Sequence, residues 1–199
     1  MAEPARPGEY EVLATETVHA GRIITLVKDT VAMPGGGDSV REVVRHIGAV
    51  AVAAVDDEGR IVLVRQYRHP VRGYLWELPA GLRDADGEAP LATARRELAE
   101  EAGLAAERWS LLANDYSTPG FCTEEVLVYL AEGLSAADRP EGFVVEHEEL
   151  DMTVERVPLE EAVQRVFSGG IRNSSAVIGV LGAAHARATG ARLRPADAE

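Results

Sequence analysis

Three glutamates spaced for one face of a helix are the most informative chemical feature of this 199-residue chain. Glu97, Glu100 and Glu101 lie at positions i, i+3 and i+4, which places their carboxylates side by side on a helix. Like charges at this spacing repel each other and weaken the helix. Hard divalent cations such as Mg²⁺ prefer oxygen ligands, and proteins often hold them with a few carboxylates and substrate phosphates. The spacing therefore indicates a metal site, and a solvated acidic face is the alternative interpretation.

The residues around these glutamates predict a loop followed by a helix. Gly81 and Gly87 enclose an acidic loop, Pro90 suits the first helical turn, and Gly103 suits the helix end. The residues between are mostly Ala, Leu, Arg and Glu, which are strong helix formers. Four apolar residues recur at helical spacing and are expected to face a core: Leu91, Ala94, Leu98 and Ala102.

The whole stretch from Gly81 to Leu104, GLRDADGEAPLATARRELAEEAGL, resembles the nudix box. That pattern is G-x5-E-x7-R-E-U-x-E-E-x-G-U, where U is an aliphatic residue, and from Glu88 onward every defined position matches. Six residues separate Gly81 from Glu88 where the pattern has five, which predicts a one-residue bulge in the loop. A wider resemblance, to the ADP-ribose pyrophosphatase branch and especially its bacterial members, is carried by the segments VRQYRHPVRGYLWELPAGL, STPGF and EHEELDM.

The predicted elements suit the α/β class. Two β-rich runs, then a Gly-rich turn and VREVVRHI, predict a small N-terminal antiparallel β-sheet. Strands are expected near 109–114, 125–131 and 151–157, and helices near 159–168 and 174–189. The runs GAVAVAAV and RIVLVRQY predict a hairpin or a neighbouring strand pair in a buried sheet. This order favours an α/β/α sandwich, which is also the fold that the nudix resemblance implies.

Three regions follow from this reading. Residues 1–46 are expected to form the N-terminal β-sheet region, residues 47–190 the nudix hydrolase domain, and residues 191–199 a tail. In the resembling branch the N-terminal sheet commonly swaps across a homodimer and helps to build the partner's site. The resemblance therefore implies a homodimer, with residues 1–46 as the dimerisation element.

The chemistry of pyrophosphate hydrolysis suggests which residues of the box would bind metal. A pyrophosphate carries negative charge on both phosphoryl groups, so metal ions that bridge the phosphates would assist attack by water. Glu97 and Glu101, one turn apart, are the preferred ligands, and Glu100 is the third. The resemblance adds the backbone carbonyl of Ala80. Mg²⁺ is the expected ion, with Mn²⁺ as the alternative.

The remaining box residues are expected to be structural. Arg96 is expected to pair with Glu88 and to hold the loop to the helix, in preference to a catalytic role. Gly81 and Gly103 shape the loop and the end of the helix.

Substrate contacts are expected outside the box. Arg45 and Arg68 match positions that contact substrate in the resembling family, and guanidinium groups suit phosphates. Glu77, on the strand that leads into the box, is a candidate hydrogen-bond partner for the base or ribose. Gly120 and Phe121 belong to a loop motif of the branch, and Phe121 is the best candidate for stacking on adenine.

The general base is expected in an acidic loop. In the resembling branch a glutamate of the loop EHEELDM acts as base. Glu148 and Glu149 are the preferred candidates because they lie nearest the following strand, and Glu146 is the third. A solvated acidic loop is the alternative interpretation.

Composition agrees with a compact enzyme, and the cytoplasm is the expected location. The net charge of −13 argues against nucleic acid as the main partner, and no run of transmembrane length or signal-peptide pattern is present. The one cysteine cannot form an internal disulfide, which favours a reducing compartment.

The resemblance implies metal-dependent hydrolysis of ADP-ribose, a small nucleoside diphosphate sugar, to AMP and ribose 5-phosphate. One alternative is a nudix hydrolase of another nucleoside diphosphate derivative, such as a nucleotide sugar, NADH or a diadenosine polyphosphate. The other is a non-catalytic nudix module that senses ADP-ribose, against which the three box glutamates argue.

Overall fold

A computed structural model describes residues 9–85, 87–138 and 152–198 of the chain. The chain divides into two compact units. The first unit contains the chain up to Gly48 together with Tyr116–Glu125, and the second contains Ala49–Asp115 and the chain from Val126 onward. The domain boundaries expected from the sequence stay a prediction.

The first unit contains a three-stranded antiparallel sheet in the order β1-β2-β3. Its strands are β1 (Val12–Ala20), β2 (Ile24–Ala32) and β3 (Asp38–His46). Every residue of β1 is exposed, whereas β2 buries Val27, Asp29 and Val31 at alternate positions. The alternation shows that one face of β2 is covered, and the small antiparallel sheet predicted for this region is confirmed.

The second unit is built on two sheets. A three-stranded antiparallel sheet has the order β10-β5-β6, and a five-stranded sheet has the order β11-β8-β9-β4-β7, in which β4 and β9 run parallel. A short 3₁₀ turn, His69–Val71, joins β5 to β6. The strands are β4 (Ala49–Ala54), β5 (Arg60–Arg68), β6 (Gly73–Glu77), β7 (Ala80–Leu82), β8 (Leu104–Tyr116), β9 (Glu125–Ala136), β10 (Thr153–Pro158) and β11 (Arg194–Pro195).

Helices cover both faces of strand β4. The helices of the described residues are α1 (Pro90–Ala102), α2 (Leu159–Phe167) and α3 (Ser174–Thr189). Val50 and Val52 belong to a buried cluster with Ala94 and Leu98 of α1. The alternate residues of β4 belong to a second cluster with residues of α2 and α3, namely Ala51, Ala53, Ala162, Ala176 and Val180. Apolar side chains on both faces of one strand require a layer on each side, so the predicted α/β/α arrangement is confirmed.

The ends of α1 are set by the residues that the sequence indicates. Pro90 occupies the first helical turn, where its missing N–H removes no helical hydrogen bond. Gly103 has a left-handed conformation with φ of 63°, and its N–H donates to the carbonyl of Ala99 at 3.0 Å. This conformation favours glycine, and it ends the helix after Ala102, the residue that follows the last glutamate.

The predicted pairing of the two apolar runs after Gly48 is wrong. β4 and β5 belong to different sheets, and the residues around the turn between them are joined by the isolated bridge Val55–Ile61. GAVAVAAV is apolar throughout, and RIVLVRQY contains the continuous apolar stretch Ile61 to Val64, so both lack the alternation that would specify a pairing partner.

The chain after α3 contains a short strand. Arg194 and Pro195 form β11, which pairs with Leu111 and Ser110 of β8. Ala196 and Ala198 pack against the cluster that includes α1. These residues fall in the segment expected to be a tail.

Candidate active site

Glu101 connects α1 to the strand that precedes it in the fold. Its side chain is buried, and its Oε2 accepts a hydrogen bond from the backbone N–H of Ala80 at 2.9 Å. The preceding carbonyl, of Pro79, accepts from the N–H of Val52 in β4 at 2.8 Å. The segment that carries the Ala80 carbonyl is therefore fixed between the central sheet and the acidic helix.

Arg96 brings the other two glutamates together. Its Nη1 donates to Oε1 of Glu97 at 2.7 Å and to Oε2 of Glu100 at 3.1 Å. The guanidinium lies between two carboxylates that would otherwise repel each other across one helical face. The charge that the sequence places at i and i+3 is thus partly neutralised by the adjacent side chain.

Glu88 holds the opposite side of the same guanidinium. Nε and Nη2 of Arg96 donate to Glu88 at 3.4 and 3.2 Å. Thr93, which is fully buried, donates its hydroxyl to Oε2 of Glu88 at 2.9 Å. Hydrogen bonding from Arg96 lowers the pKa of Glu88 and outweighs the opposing effect of burial, with a further contribution from Thr93. We call Glu88, Thr93, Arg96, Glu97 and Glu100 the Arg96 cluster.

Burial raises the pKa of Glu97 above that of an ordinary glutamate. Desolvation raises its pKa to about 7, Arg96 acts in the opposite direction, and the charges of Glu100 and Asp84 raise it further. A carboxylate with a raised pKa binds a proton or another cation more readily than an exposed one. A cation placed beside Glu97 would therefore favour its ionised form.

Gly81 lies directly against Glu97. A Cβ atom at this position would lie 2.1 Å from both Cδ and Oε1 of Glu97. No side chain fits there unless the carboxylate moves. This close approach gives a physical reason for a glycine at the start of the box loop.

The donor set fits a hard divalent cation. Carboxylates and a backbone carbonyl are the oxygen ligands that Mg²⁺ prefers. Three box glutamates lie on one helix, and the N–H of Ala80 bonds one of them, which brings the Ala80 segment to the same helix. Among the described residues, no three His, Cys, Asp or Glu side chains form an arrangement that could hold a metal ion. Arg96 bonds one oxygen each of Glu97 and Glu100, and the Ala80 N–H bonds one oxygen of Glu101.

Arg68 and Glu77 are joined to each other. Nε and Nη2 of Arg68 donate to the two carboxylate oxygens of Glu77 at 2.9 and 2.7 Å. Glu77 is 2% exposed, whereas the Arg68 side chain is 45% exposed. The two residues, expected separately as substrate contacts, form one bidentate ion pair in the second unit.

Other expected substrate contacts lie in the first unit. Arg45, on β3, has an exposed side chain whose Nη2 lies 3.5 Å from Oδ1 of Asp29. The carbonyl of Phe121 accepts from the N–H of Val44 at 2.7 Å, and the Phe121 side chain is 55% exposed. A Cβ atom at Gly120 would meet nothing within 4 Å. The loop that carries Gly120 and Phe121 is thus attached to the strand that carries Arg45.

The expected general bases lie outside the described residues. Glu146, Glu148 and Glu149 fall between residues 138 and 152, so their role stays a prediction.

Thr93 is the member of the Arg96 cluster that the sequence analysis did not single out. It lies four residues before Glu97 and eight before Glu101, on the same helical face. The sequence signal that could have identified Thr93 is its helical spacing from Glu97 and Glu101.

Comparison with known proteins gives two family matches. The sequence model of the NUDIX domain matches residues 44–174, and that of the nucleoside diphosphate sugar hydrolase N-terminal domain matches residues 10–44. Together the two matches span both units of the structure.

Individual relatives cover most of the chain. It is 52% identical over 192 residues to the ADP-ribose pyrophosphatase of Mycobacterium tuberculosis, covering 96% of this chain and 91% of that protein. It is 40% identical over 172 residues to the methanol dehydrogenase activator of Bacillus methanolicus, covering 86% and 91%. The crystal structure of an ADP compounds hydrolase shares the fold with a TM-score of 0.76 at 22% identity, covering 95% and 99%. Within the described residues, no helix has the length and hydropathy needed to cross a membrane.

Proposed function

The chain belongs to the nudix family, and we propose that it hydrolyses the pyrophosphate bond of ADP-ribose to AMP and ribose 5-phosphate. The observation that carries the proposal is the bond between Glu101 and the Ala80 N–H, which brings the box loop and the acidic helix together. The 52% identity to a protein named ADP-ribose pyrophosphatase supports the choice of substrate.

Divalent metal ions are a general requirement of nudix hydrolases. In this chain Glu97, Glu100, Glu101 and the carbonyl of Ala80 would hold the ion, and Mg²⁺ is the proposed occupant, with Mn²⁺ suited to the same oxygens. When bound, the ion neutralises charge on the pyrophosphate and favours ionisation of water. The chain itself contributes the fixed geometry of these donors through Arg96 and Gly81.

The cationic contacts to the substrate are assigned to Arg68 and Arg45. An arginine presents several N–H donors in one plane and suits phosphate oxygens. Gly120 and Phe121 are proposed to contact the nucleoside, and the exposure of the Phe121 ring supports this role. Glu148 or Glu149, with Glu146 as the third candidate, is proposed to accept the proton of the attacking water.

A homodimer is part of the proposal. The N-terminal sheet exposes large apolar side chains, including Val12, Leu13, Val18, Ile24 and Val40. Exposed apolar area of this kind is typical of interaction surfaces. The single cysteine, Cys122, supports a cytoplasmic location because it cannot form an intrachain disulfide.

A second candidate is a nudix module that binds ADP-ribose and regulates another protein. The 40% identity to a protein named as an activator of methanol dehydrogenase favours it. The two candidates differ in whether Glu97 and Glu101 support turnover.

Turnover of a substrate panel by the purified full chain tests the proposal. With Mg²⁺, ADP-ribose should be hydrolysed faster than nucleotide sugars, NADH or diadenosine polyphosphates, with AMP as a product. Glu97→Gln and Glu101→Gln should each lower turnover by orders of magnitude without loss of secondary structure. Binding of ADP-ribose without hydrolysis would favour the regulatory module, and near-wild-type turnover in both variants would contradict the assigned ligands.

A further inference from the structure

The carboxylate of Glu77 is buried and held by an arginine fork. Nε and Nη2 of Arg68 donate to its two oxygens at 2.9 and 2.7 Å, while Glu77 is only 2% exposed. A buried carboxylate is costly unless it is paired and hydrogen-bonded, and two parallel N–H···O bonds from arginine are the strongest such pairing. The orientation of each side chain is therefore fixed by the other.

The Arg68 guanidinium has a fixed orientation, and its side chain is partly exposed to solvent. The side chain is 45% exposed to solvent, although the fork to Glu77 fixes the orientation of its guanidinium. A free arginine side chain must lose rotamer freedom when it binds an anion. An arginine already ordered by a buried carboxylate has lost that freedom in the folded protein, so binding costs less.

The fork is attached to the segment that bears the proposed metal ligands. Glu77 precedes Ala80 by three residues. Between them the carbonyl of Pro79 accepts from Val52 of β4 at 2.8 Å, and the N–H of Ala80 donates to Glu101 at 2.9 Å. One short, anchored segment thus connects the Arg68 guanidinium to the acidic helix.

We propose that Glu77 is a positioning residue, which holds Arg68 in the orientation that binds the substrate's pyrophosphate and does not itself touch the substrate. The proposal rests on the proposed function, in which Arg68 is a substrate contact. It replaces the expected contact of Glu77 with the base or ribose, because Glu77 is 2% exposed and its carboxylate is turned to Arg68 through both oxygens.

A double-mutant cycle tests the proposal. The dissociation constant of ADP-ribose is measured by calorimetry, in the presence of a chelator, for the wild type, Glu77→Gln, Arg68→Ala and the double variant. Hydrogen bonds to charged groups predict that Arg68→Ala weakens binding about ten- to a hundred-fold. Glu77→Gln should weaken it by a comparable factor, and the double variant should bind no more weakly than Arg68→Ala.

Two results would overturn the role of Glu77. One is a wild-type dissociation constant in Glu77→Gln while Arg68→Ala binds weakly. The other is multiplication of the two effects in the double variant, which would show that Glu77 acts independently of Arg68. If Glu77→Gln does not fold, Glu77→Asp serves instead, because its shorter side chain keeps the charge but cannot reach both N–H groups from the same backbone position.

A control variant distinguishes the loss of Arg68 positioning from the general effect of losing an ion pair in the same sheet. Arg165 donates to the two oxygens of Glu155 at 2.9 and 3.0 Å, and Glu155 lies on β10 of the same three-stranded sheet. Glu155→Gln should leave the dissociation constant unchanged, and weakening equal to that of Glu77→Gln would contradict the proposal. Turnover of ADP-ribose by the wild type with Mg²⁺ is measured separately: its absence overturns the proposed function, whereas the binding cycle still decides the role of Glu77.

Discussion

Thr93 supports the Arg96 cluster through a single hydroxyl. The residue is fully buried, and its Oγ1 donates to the Glu88 oxygen that also accepts from Arg96. Loss of the hydroxyl leaves the Glu88 carboxylate with one donor fewer, so Glu88 then holds Arg96 without support from Thr93.

Thr93→Val and Thr93→Ser form a matched pair for this hydroxyl. Each should lower the free energy of unfolding by about 1 kcal/mol. Thr93→Val loses the hydrogen bond to Glu88, whereas Thr93→Ser keeps that bond and loses a buried methyl group. Only Thr93→Val should raise the Mg²⁺ concentration needed for half-maximal turnover. Equal Mg²⁺ dependence in both variants would show that the hydroxyl does not position the acids.

Glu97 makes the stability of the protein depend on pH. Burial raises its pKa from 4.5 to about 7, so between these values the folded state keeps a proton that the unfolded state has released. The free energy of unfolding should therefore fall as the pH rises from 5 to 8 in the presence of a chelator, by at most on the order of 3 kcal/mol from this group. Glu97→Gln should remove this part of the decline, as measured by urea unfolding at several pH values. A constant difference between variant and wild type across the range would contradict the assignment.

The contact between the box loop and α1 tolerates no added atom. Gly81, in β7, lies where a Cβ would overlap the Glu97 carboxylate at 2.1 Å. Gly81→Ala should displace that carboxylate from Arg96 and lower turnover strongly, while far-ultraviolet circular dichroism stays native. Gly35→Ala is the control, because a Cβ there meets nothing within 4 Å, and it should keep full turnover. Full turnover in Gly81→Ala would show that Glu97 can occupy another position.

The elements differ in how far the sequence predicts them. Pro90 and Gly103 bound α1 because each acts on the local backbone, so its ends could be predicted from the residues alone. The partners of β4 and β5 could not, because both strands are apolar on both faces and pairing then depends on distant strands.

In the candidate site, too, contacts between residues of one local segment could be predicted, whereas contacts between strands could not. The pairing of Arg96 with Glu88 follows from spacing in one loop and helix, and the structure contains it. The fork between Arg68 and Glu77 joins two strands across a turn, and no local pattern in the sequence specifies it. Contacts between separate strands are set by tertiary packing, which the sequence alone does not show.

The exposed N-terminal sheet predicts the assembly state. Val12 is 52% exposed on β1, all of which is exposed, so a charge there should disrupt an interface formed by the sheet and leave the monomer intact. Val12→Glu together with Leu13→Glu should convert a dimer into a monomer in sedimentation velocity at micromolar concentration. Phe167→Glu is the control, since Phe167 is an exposed apolar residue at the end of α2 and should not affect assembly. A wild type that sediments as a monomer would contradict the homodimer.

Arg96 also separates the folding of this protein from its supply of ions. A small zinc domain folds only when its metal binds, because the free energy of metal binding is its free energy of folding. Here a side chain of the same helix acts as a built-in counter-ion for Glu88, Glu97 and Glu100. Under the proposed function, a newly synthesised chain should therefore fold before any cation binds, and the occupancy of the proposed metal site should follow the surrounding ion concentration as a reversible equilibrium.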